Sequence, residues 1–175
     1  GNEATGLDKI FKNLWKGQLD QLESGLSLAK RVEENMRTYK SVHWPNEKEF
    51  REKLTTRPLY GSRVTKFLLT RYDESLKGES PSDNPNIEHV LPQTINGKDC
   101  WKKDFNKNDH KEYKDRIGNL TLITKEFNSS KKVSNACYSD KREAYINQSM
   151  WEITRKIGLD SESWTKKEIV QRSKT

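Results

Sequence analysis

Apolar positions recur at helical spacing along most of this chain. From Leu7 to Met36 they lie three, four or seven residues apart, the pattern of a long amphipathic helix. Gly17 and Gly25 interrupt this stripe, so we expect the helix to be broken or frayed there. The apolar stripe predicts either an ordinary core contact or a coiled-coil or interdomain contact with another module.

Two helices are predicted in the next segment. Asn46 and Glu49 match a capping box, which predicts a short helix through Leu54. After a turn marked by proline and glycine, a second helix is expected from about Arg63 to Leu76. Apolar residues spaced as on one helical face form its expected buried side: Val64, Phe67, Leu68, Tyr72 and Leu76.

The pattern changes to that of short strands at two places. Residues 78–86 consist of turn-forming residues and separate the helical part from a first strand candidate, residues 87–91, which Pro92 ends. Residues 117–123 form a second strand candidate, interrupted at Gly118. Trp101 and Phe105 are expected to anchor the polar segment between the two strands in the core.

Further helices are predicted around and after the second strand. Asp109 with Glu112 predicts a brief helix, and Thr165 with Glu168 predicts the last one. Three other segments are expected to be helical or to start a helix: residues 124–130, 140–148 and 149–157. The sequence therefore predicts a mostly helical α+β fold with a two-stranded element wrapped by helices.

One compact domain is expected, with three parts. These are a helical lobe at residues 1–80, a core at residues 81–150 and C-terminal helices at residues 151–175. Only 31% of residues are hydrophobic and 34% are charged, so the core must be small or shared with another module. Because the chain starts with Gly1 rather than Met, we expect it to be part of a larger protein.

Charge and cysteine content narrow the classes of protein to which this chain could belong. Lys and Arg outnumber Asp and Glu by 33 to 26, an excess that favours polyanions but is spread along the chain. Cys100 and Cys137 form no C-x-x-C pair, so a zinc knuckle is disfavoured, and the chain's size does not require a disulfide. No apolar run approaches the ~18 residues of a membrane span, and we expect a cytoplasmic protein.

Four residues near the two strands form a candidate catalytic group. The segment IEHVLPQ places Glu88 beside His89 at the end of the first strand candidate. GNLTL contributes Asn119 in the second, and Asn128 follows in the next helical segment. This order of strand, strand and helix resembles the site of HNH, or ββα-metal, nucleases, which cut nucleic acid with the help of a metal ion.

These residue types suit phosphodiester hydrolysis. With a free pKa of ~6.5, a neutral His89 can accept a proton from water. Oxygen ligands from Glu88 and Asn128 suit Mg²⁺ or Mn²⁺ better than Zn²⁺. Asn119 is expected to hydrogen-bond the backbone of the loop that holds His89. In a regular strand Glu88 and His89 point to opposite sides, so a turn or bulge at residues 90–92 would be needed to bring both to the metal.

Each of these residues also has a structural interpretation. A lone Glu-His pair is commonly a hydrogen-bonded strand end, Asn119 beside Gly118 fits turn chemistry, and Asn128 fits the N-terminal end of a helix. Their combination in this order favours the nuclease.

Other polar residues are weaker candidates. Those that follow the predicted site are candidates for phosphate contact or for a solvated helix face: Lys131, Lys132, Lys141 and Arg142. His43, beside Trp44 and Pro45, is expected to be structural, and His110 to be a solvated side chain.

From Trp44 to Arg172 the chain resembles the C-terminal HNH domain of GmrSD-type, modification-dependent restriction endonucleases, including related phosphorothioation-linked defence nucleases. The stretches that carry the resemblance are WPNEKEF, RPLYGSRVTKFLL, IEHVLPQ, DRIGNLTLITKEFNSS, SDKREAY and WTKKEIVQR. The resemblance implies nicking or double-strand cleavage of foreign, often modified, DNA. It also implies an N-terminal module similar to a ParB-like nucleotide-hydrolysing domain.

The same resemblance implies roles for individual residues. His89 would act as the general base, Glu88 and Asn128 would bind the metal, and Asn119 would support them. Lys141 matches a lysine in the family's trailing helix, where it would have a phosphate-binding or structural role. Asn128 replaces the histidine that many HNH sites have as the last ligand, which favours Mg²⁺ over tightly bound Zn²⁺ or Ni²⁺.

Two other functions stay open at this point. One is a DNA-binding or partner-docking module whose nuclease site is inactive. The other is an HNH enzyme that acts on RNA.

Overall fold

The computed structural model describes residues 45–79, 81, 84–95, 97–130 and 133–174, together with Lys30, Glu33 and Arg37. The chain divides into two compact units, Gly1–Phe50 and Arg51–Thr175. Lys30, Glu33 and Arg37 are helical, and Arg37 forms an exposed ion pair with Glu33. The rest of the predicted first helix lies outside the described residues, and the three-part division of the chain stays a prediction.

Helices dominate the described part of the chain. They are α1 Glu47–Thr56, α2 Arg63–Lys77, α3 Asp99–Lys102, α4 Lys107–Tyr113, α5 Lys125–Asn128, α6 Tyr138–Gln148, α7 Glu152–Asp160 and α8 Lys166–Arg172. The strands are β1 Asn86–His89 and β2 Leu120–Ile123, and a 3-10 turn, Ile117–Asn119, precedes β2. The prediction of a mostly helical chain with a small sheet is confirmed. Across the described ranges, no helix has the length and apolar character needed to cross a membrane.

Capping boxes define the first and last of these helices, as predicted. At α1, the Asn46 side chain accepts a hydrogen bond from the backbone N–H of Glu49 at 2.9 Å, and the Glu49 carboxylate accepts one from Asn46 N at 3.0 Å. Thr165 and Glu168 make the equivalent pair of bonds at α8. Each box satisfies backbone donors that the first helical turn leaves without partners.

The start of α4 differs from the prediction. Its capping box is formed by Asn106 and Asp109 rather than by Asp109 and Glu112. Asn106 is itself a strong capping residue and precedes a helix-compatible segment, so the helix begins earlier and Asp109 becomes its third residue.

The two strands form an antiparallel pair in which Glu88 lies opposite Thr121 and His89 lies opposite Leu120. β1 ends at His89, two residues before the end of the predicted strand. β2 begins at Leu120 because the three preceding residues wind into the 3-10 turn. All four side chains of β2 are buried, so helices cover both faces of this strand.

Alternation along β2 distributes its side chains between two apolar clusters. Leu120 and Leu122 pack with Leu69 of α2 and with Trp151 and Ile153 at the start of α7. Ile123 belongs to the larger cluster, which also contains the predicted anchors Trp101 and Phe105 together with Tyr145 of α6. The short sheet therefore lies between the helices that supply the core.

α2 buries a face different from the predicted one. Thr65, Leu69 and Asp73 are buried, whereas Val64 and Phe67 are 50% and 60% exposed. The prediction was wrong for Val64 and Phe67 because it treated polar positions as exposed. Two polar residues face inward here, and each has hydrogen-bond partners.

Asp73 connects α2 to the start of α7. Its Oδ1 accepts a hydrogen bond from the backbone N–H of Ile153 at 2.8 Å. Trp151 occupies the N-cap position of α7 and offers no side-chain acceptor. Asp73 thus serves as the cap from a distant part of the chain, and its negative charge lies at the favourable end of the α7 dipole.

Cys100 and Cys137 form a disulfide, with Cα atoms 6.0 Å apart. Chain size gave no reason to require this bond, and the cytoplasmic location expected from the sequence gave no reason to predict it. It joins α3 to the residue that precedes α6.

We expect replacement of Asp73 by Ala to lower the free energy of unfolding by roughly 1–3 kcal/mol, because the buried N–H of Ile153 loses its acceptor. Asp73→Asn keeps an acceptor oxygen and should cost less. Equilibrium urea unfolding gives both values.

A matched control is Glu74→Ala on the same helix, which removes only a surface pair with Arg71 and should change stability by less than about 1 kcal/mol. Equal losses for the Asp73 and Glu74 variants would contradict the capping role.

Candidate active site

A cavity of about 160 Å³ lies at the end of β1. Glu88, His89 and Asn128, three of the predicted site residues, line it. The remaining wall is formed by Tyr60, Ile87, Pro92, Gln93, Ser134 and Asn135. A cavity of about 350 Å³ along α7 and α8 has no histidine among its lining residues. A third cavity, of about 670 Å³, is lined by His110 but by no carboxylate. We assign the candidate site to the cavity at the end of β1, where a histidine, a carboxylate and an amide oxygen meet.

Glu88 is held by a buried lysine and a tyrosine of α6. Its Oε1 accepts hydrogen bonds from Lys141 Nζ at 2.5 Å and from the Tyr145 hydroxyl at 3.1 Å. Within the described residues no hydrogen bond reaches the other oxygen, Oε2. The carboxylate is thus fixed at one oxygen while the second one is available to a ligand.

Lys141 also donates to the backbone carbonyl of His89 at 2.6 Å. Its side chain is fully buried, and burial lowers the pKa of Lys141, whereas the neighbouring Glu88 charge acts to raise it. Burial likewise raises the pKa of Tyr145 well above its usual value, so this hydroxyl keeps its proton and remains a donor. Lys141 therefore fixes two consecutive residues of β1.

His89 lies on the other side of the strand end, next to Asp115. Its Nε2 is 3.0 Å from Asp115 Oδ1, and its ring makes an edge contact with Tyr60, with ring centroids 4.3 Å apart. Because an ionised carboxylate only accepts hydrogen bonds, this contact places the proton on Nε2 and leaves the Nδ1 lone pair free. Burial lowers the pKa of His89, and Asp115 partly opposes that effect. The ring is therefore neutral at physiological pH.

Asp115 was not among the predicted site residues. Besides bonding His89, its carboxylate pairs with Lys114 Nζ at 3.0 Å. Its backbone carbonyl accepts hydrogen bonds from Leu59 and Tyr60. One residue therefore orients the candidate base and anchors the turn that brings Tyr60 to it.

Asn119 fixes the loop that follows His89. Its side-chain Oδ1 accepts from Leu91 N at 2.8 Å, and its Nδ2 donates to Leu91 O at 2.9 Å and to Lys114 O at 2.7 Å. Trp164 Nε1 donates to the same Oδ1 at 3.0 Å. The predicted contact between Asn119 and this loop is confirmed, and the amide is completely buried.

The C-terminal helix supports the segment that carries Asn119. Arg172 Nη1 donates to the carbonyls of Ile117, Gly118 and Leu120. A Cβ atom at Gly118 would lie 2.0 Å from the carbonyl oxygen of Ile169. Only glycine therefore allows α8 to pack this closely against the 3-10 turn.

Asn128 is the last residue of α5 and reaches the cavity from the helix that follows β2. Its position at the C-terminal end of this helix does not match the structural alternative of a helix N-terminal residue. Within the described part of the chain its side-chain amide makes no hydrogen bond, so its oxygen is available.

Glu88 and His89 meet in one cavity although neighbouring strand residues face opposite sides. Glu88 turns toward α6 and His89 toward Asp115, as the alternation requires. Both remain accessible from the cavity because the strand ends there. No residue of the described segments other than glycine has a positive φ, so the turn at residues 90–92 involves no left-handed residue.

The remaining polar candidates have varied positions. Lys131, Lys132 and His43 lie outside the described residues. Lys141 is buried and donates to Glu88 and to the His89 carbonyl, contacts that fit a structural role. Arg142 donates from Nε to Ser161 O at 3.0 Å. His110 is only partly exposed and bonds the carbonyl of Pro92 at 2.8 Å, so its interpretation as a solvated side chain was wrong.

The cavity residues fit a hard divalent cation. Glu88 Oε2 and the Asn128 amide oxygen, which no described residue bonds, are oxygen donors of the kind that Mg²⁺ and Mn²⁺ prefer. Within the described segments no group of three or more His, Cys, Asp and Glu side chains suits a metal ion. Water and a phosphate would therefore complete the ligand set.

Comparisons with curated proteins and with solved structures give no match. A family model, described as GmrSD restriction endonucleases, C-terminal domain, matches residues 44–175. The match covers all of the cavity residues and both supporting residues, Asn119 and Asp115. The chain therefore belongs to the GmrSD restriction endonucleases and contains their C-terminal domain, a restriction-endonuclease-related nuclease module.

Proposed function

We propose that the chain is a metal-dependent DNA endonuclease of the HNH class, and that the cavity at the end of β1 is its active site. The observation that carries this proposal is the meeting of Glu88, His89 and Asn128 in one cavity. The order of β1, β2 and α5 is that of a ββα-metal element and supports the class assignment.

His89 accepts the proton of the attacking water at Nδ1. Its neutral form is favoured by burial, and its orientation is maintained by Asp115 and Tyr60. When the ring takes up the proton, the Asp115 carboxylate stabilises the resulting imidazolium through the bond to Nε2. Asp115 is a positioning residue because it acts through His89.

Glu88 and Asn128 would hold a Mg²⁺ or Mn²⁺ ion through their oxygens. Such an ion would supply charge neutralisation at the phosphate and at the departing oxygen. Lys141 keeps the Glu88 carboxylate in place, and its positive charge reduces the affinity of the site for cations. Asn119 supports the whole group by fixing the loop from Val90 onward.

DNA is the substrate that restriction endonuclease family membership implies. We further propose that the DNA is foreign and modified, that cleavage leaves 5′-phosphate and 3′-hydroxyl ends, and that a nucleotide-hydrolysing module acts together with this domain in the cytoplasm. The phosphate contacts of Lys131 and Lys132 are part of the same proposal.

An inactive DNA-binding module is the second candidate. It is favoured by the ammonium group of Lys141, which already occupies one oxygen of Glu88. Supercoiled plasmid incubated with Mg²⁺ or Mn²⁺, with and without EDTA, separates the two candidates. Metal-dependent relaxation supports the nuclease, and binding without cleavage supports the module. Preferential degradation of RNA in the same assay would identify an RNA-directed enzyme.

His89→Ala is expected to reduce the cleavage rate by about 10²- to 10⁴-fold, because the general base is lost. DNA affinity, measured by fluorescence anisotropy in EDTA, should stay nearly unchanged. Asn108→Ala is the control, since Asn108 is exposed and does not line the cavity. Cutting by the His89 variant at the wild-type rate would falsify the base assignment.

Asp115→Asn should lower kcat by about 100-fold with little change in KM, because a neutral amide neither fixes the His89 tautomer nor stabilises its protonated form. Single-turnover cleavage of a labelled duplex measures this split. Asp99→Asn, at a side chain that is 97% exposed, serves as the control. A loss confined to KM would show that Asp115 acts in binding rather than through His89.

Asn128→Ala should raise the Mg²⁺ concentration for half-maximal cleavage by at least about tenfold, because even outer-shell changes at metal sites have effects of this size. The unpaired amide makes a folding defect unexpected. Titration of Mg²⁺ at fixed plasmid concentration gives the value, with the exposed Asn108→Ala as control. An unchanged titration curve would remove Asn128 from the ligand set.

A further inference from the structure

Three large apolar side chains near the start of α2 are exposed: Tyr60, Val64 and Phe67, at 45%, 50% and 60%. The first of them, Tyr60, also lines the candidate cavity. Val64 and Phe67 are three residues apart on the helix, so their side chains lie on neighbouring turns of one face. We call Tyr60, Val64 and Phe67 the α2 surface. Large exposed apolar side chains that adjoin one another indicate a contact site.

The α2 surface is fixed relative to the candidate base. The backbone N–H groups of Leu59 and Tyr60 donate to the Asp115 carbonyl, and the Asp115 side chain bonds His89. Tyr60 contacts the His89 ring and lines the cavity. A molecule that lies along α2 therefore approaches the atoms at which cleavage is proposed.

The chain around this surface carries charge of one sign. Between Glu52 and Asp73 there is no acidic residue, whereas the whole chain has 26 acidic to 33 basic residues. The basic residues of this stretch are Lys53, Arg57, Arg63, Lys66 and Arg71. Because all the charges of this segment are positive, it attracts polyanions and repels basic partners.

Two of these cations are available for contact. Arg57 and Arg63 are exposed, and neither forms an ion pair or a side-chain hydrogen bond with any described residue. Lys66 bonds Asn84 at 2.9 Å. Arg71 pairs with Glu74 and lies over the Phe67 ring, 5.6 Å from its centroid. Arg57 and Arg63, whose guanidinium groups bond no described residue, thus lie three positions before and three after Tyr60, which lines the cavity.

We propose that the α2 surface binds an unpaired segment of the DNA strand next to the cleaved phosphodiester. Arg57 and Arg63 contact its phosphates, and a base stacks on Phe67. This inference rests on the proposed function and adds to it how the substrate is held. Alternating cations and exposed aromatic rings are how proteins bind single strands with little sequence preference, since every base has a face that can stack.

The dimensions agree with this arrangement. Arg63 and Phe67 are four residues apart, which corresponds to about 6 Å along a helix axis. The two side chains are therefore close enough for neighbouring nucleotides of one strand to contact both. A protein partner that bound through aliphatic side chains would offer no group to pair with the guanidinium groups of Arg57 and Arg63, which form no ion pair with any described residue.

The test measures the binding of the complete 175-residue chain to a labelled single-stranded oligonucleotide and to the matching duplex, by fluorescence anisotropy in EDTA. Phe67→Ala should weaken binding of the single strand roughly tenfold, the size expected for loss of one base–aromatic stack. Binding of the duplex, whose bases are paired, should change much less. Leu159→Ala, at another exposed apolar residue, is the control.

The double variant Arg57→Gln/Arg63→Gln tests the phosphate contacts. For two contacts to a single strand, the slope of log affinity against log salt concentration should become shallower by about 1.4. Lys103→Gln/Lys174→Gln removes the same charge elsewhere and should leave the slope nearly unchanged. All these side chains are exposed, and unchanged melting temperatures would show that the variants are folded.

Equal weakening of single strand and duplex by Phe67→Ala would overturn the stacking, and unchanged affinity for both would overturn the proposal and assign the α2 surface to a protein partner. Equal salt slopes for the two double variants would overturn the phosphate contacts. Because EDTA prevents metal-dependent cleavage, these results do not depend on catalysis. Absence of plasmid cleavage with the predicted binding changes would instead contradict the nuclease proposal alone.

Discussion

The buried side-chain amide of Asn119 is the contact on which the candidate site depends. It satisfies both the N–H and the carbonyl of Leu91 and also the carbonyl of Lys114, and it accepts a bond from Trp164. Three segments that are distant along the chain thus meet at one group: the loop at Leu91, residues 114–119 and the segment at Trp164. A side chain with only donors or only acceptors could not do this, because the Leu91 backbone presents one of each. The loop after His89 and the turn that ends at Asp115 are therefore fixed together.

The two sides of the site use different kinds of support. On one side Glu88 is paired with a buried lysine, an arrangement that contributes little to stability because both ions lose their hydration. Its value is geometric, since Lys141 also holds the His89 carbonyl. On the other side His89 contacts a partly exposed carboxylate and a tyrosine ring. The Glu88 carboxylate is thus held rigidly by buried groups, whereas His89 is oriented by a carboxylate that solvent can still reach.

Local patterns predicted much of this structure, and contacts between distant residues account for what they did not predict. The bounds of α2 and the capping boxes at Asn46 and Thr165 depend on neighbours within four residues, and these predictions were confirmed. The predicted contact of Asn119 with the loop after His89 was also confirmed, because Asn119 directly precedes the strand that pairs with β1. Asp115 opens the stretch DRIGNLTLITKEFNSS but was not predicted as a site residue, since it lies in a turn 26 positions from His89. The buried face of α2 was misassigned because Asp73 is stabilised by a backbone group 80 positions away.

The hydrogen bonds that Arg172 donates to Ile117, Gly118 and Leu120 limit when this part of the structure can form during synthesis. Its carbonyl partners precede it by 52 to 55 positions, and Trp164 is also made long after the amide that it contacts. A nascent chain that has just exposed both strands outside the ribosome still lacks the helix that locks them. The segment around Asn119 therefore acquires its full set of contacts only when the later residues have emerged, and an interrupted translation product is left without them.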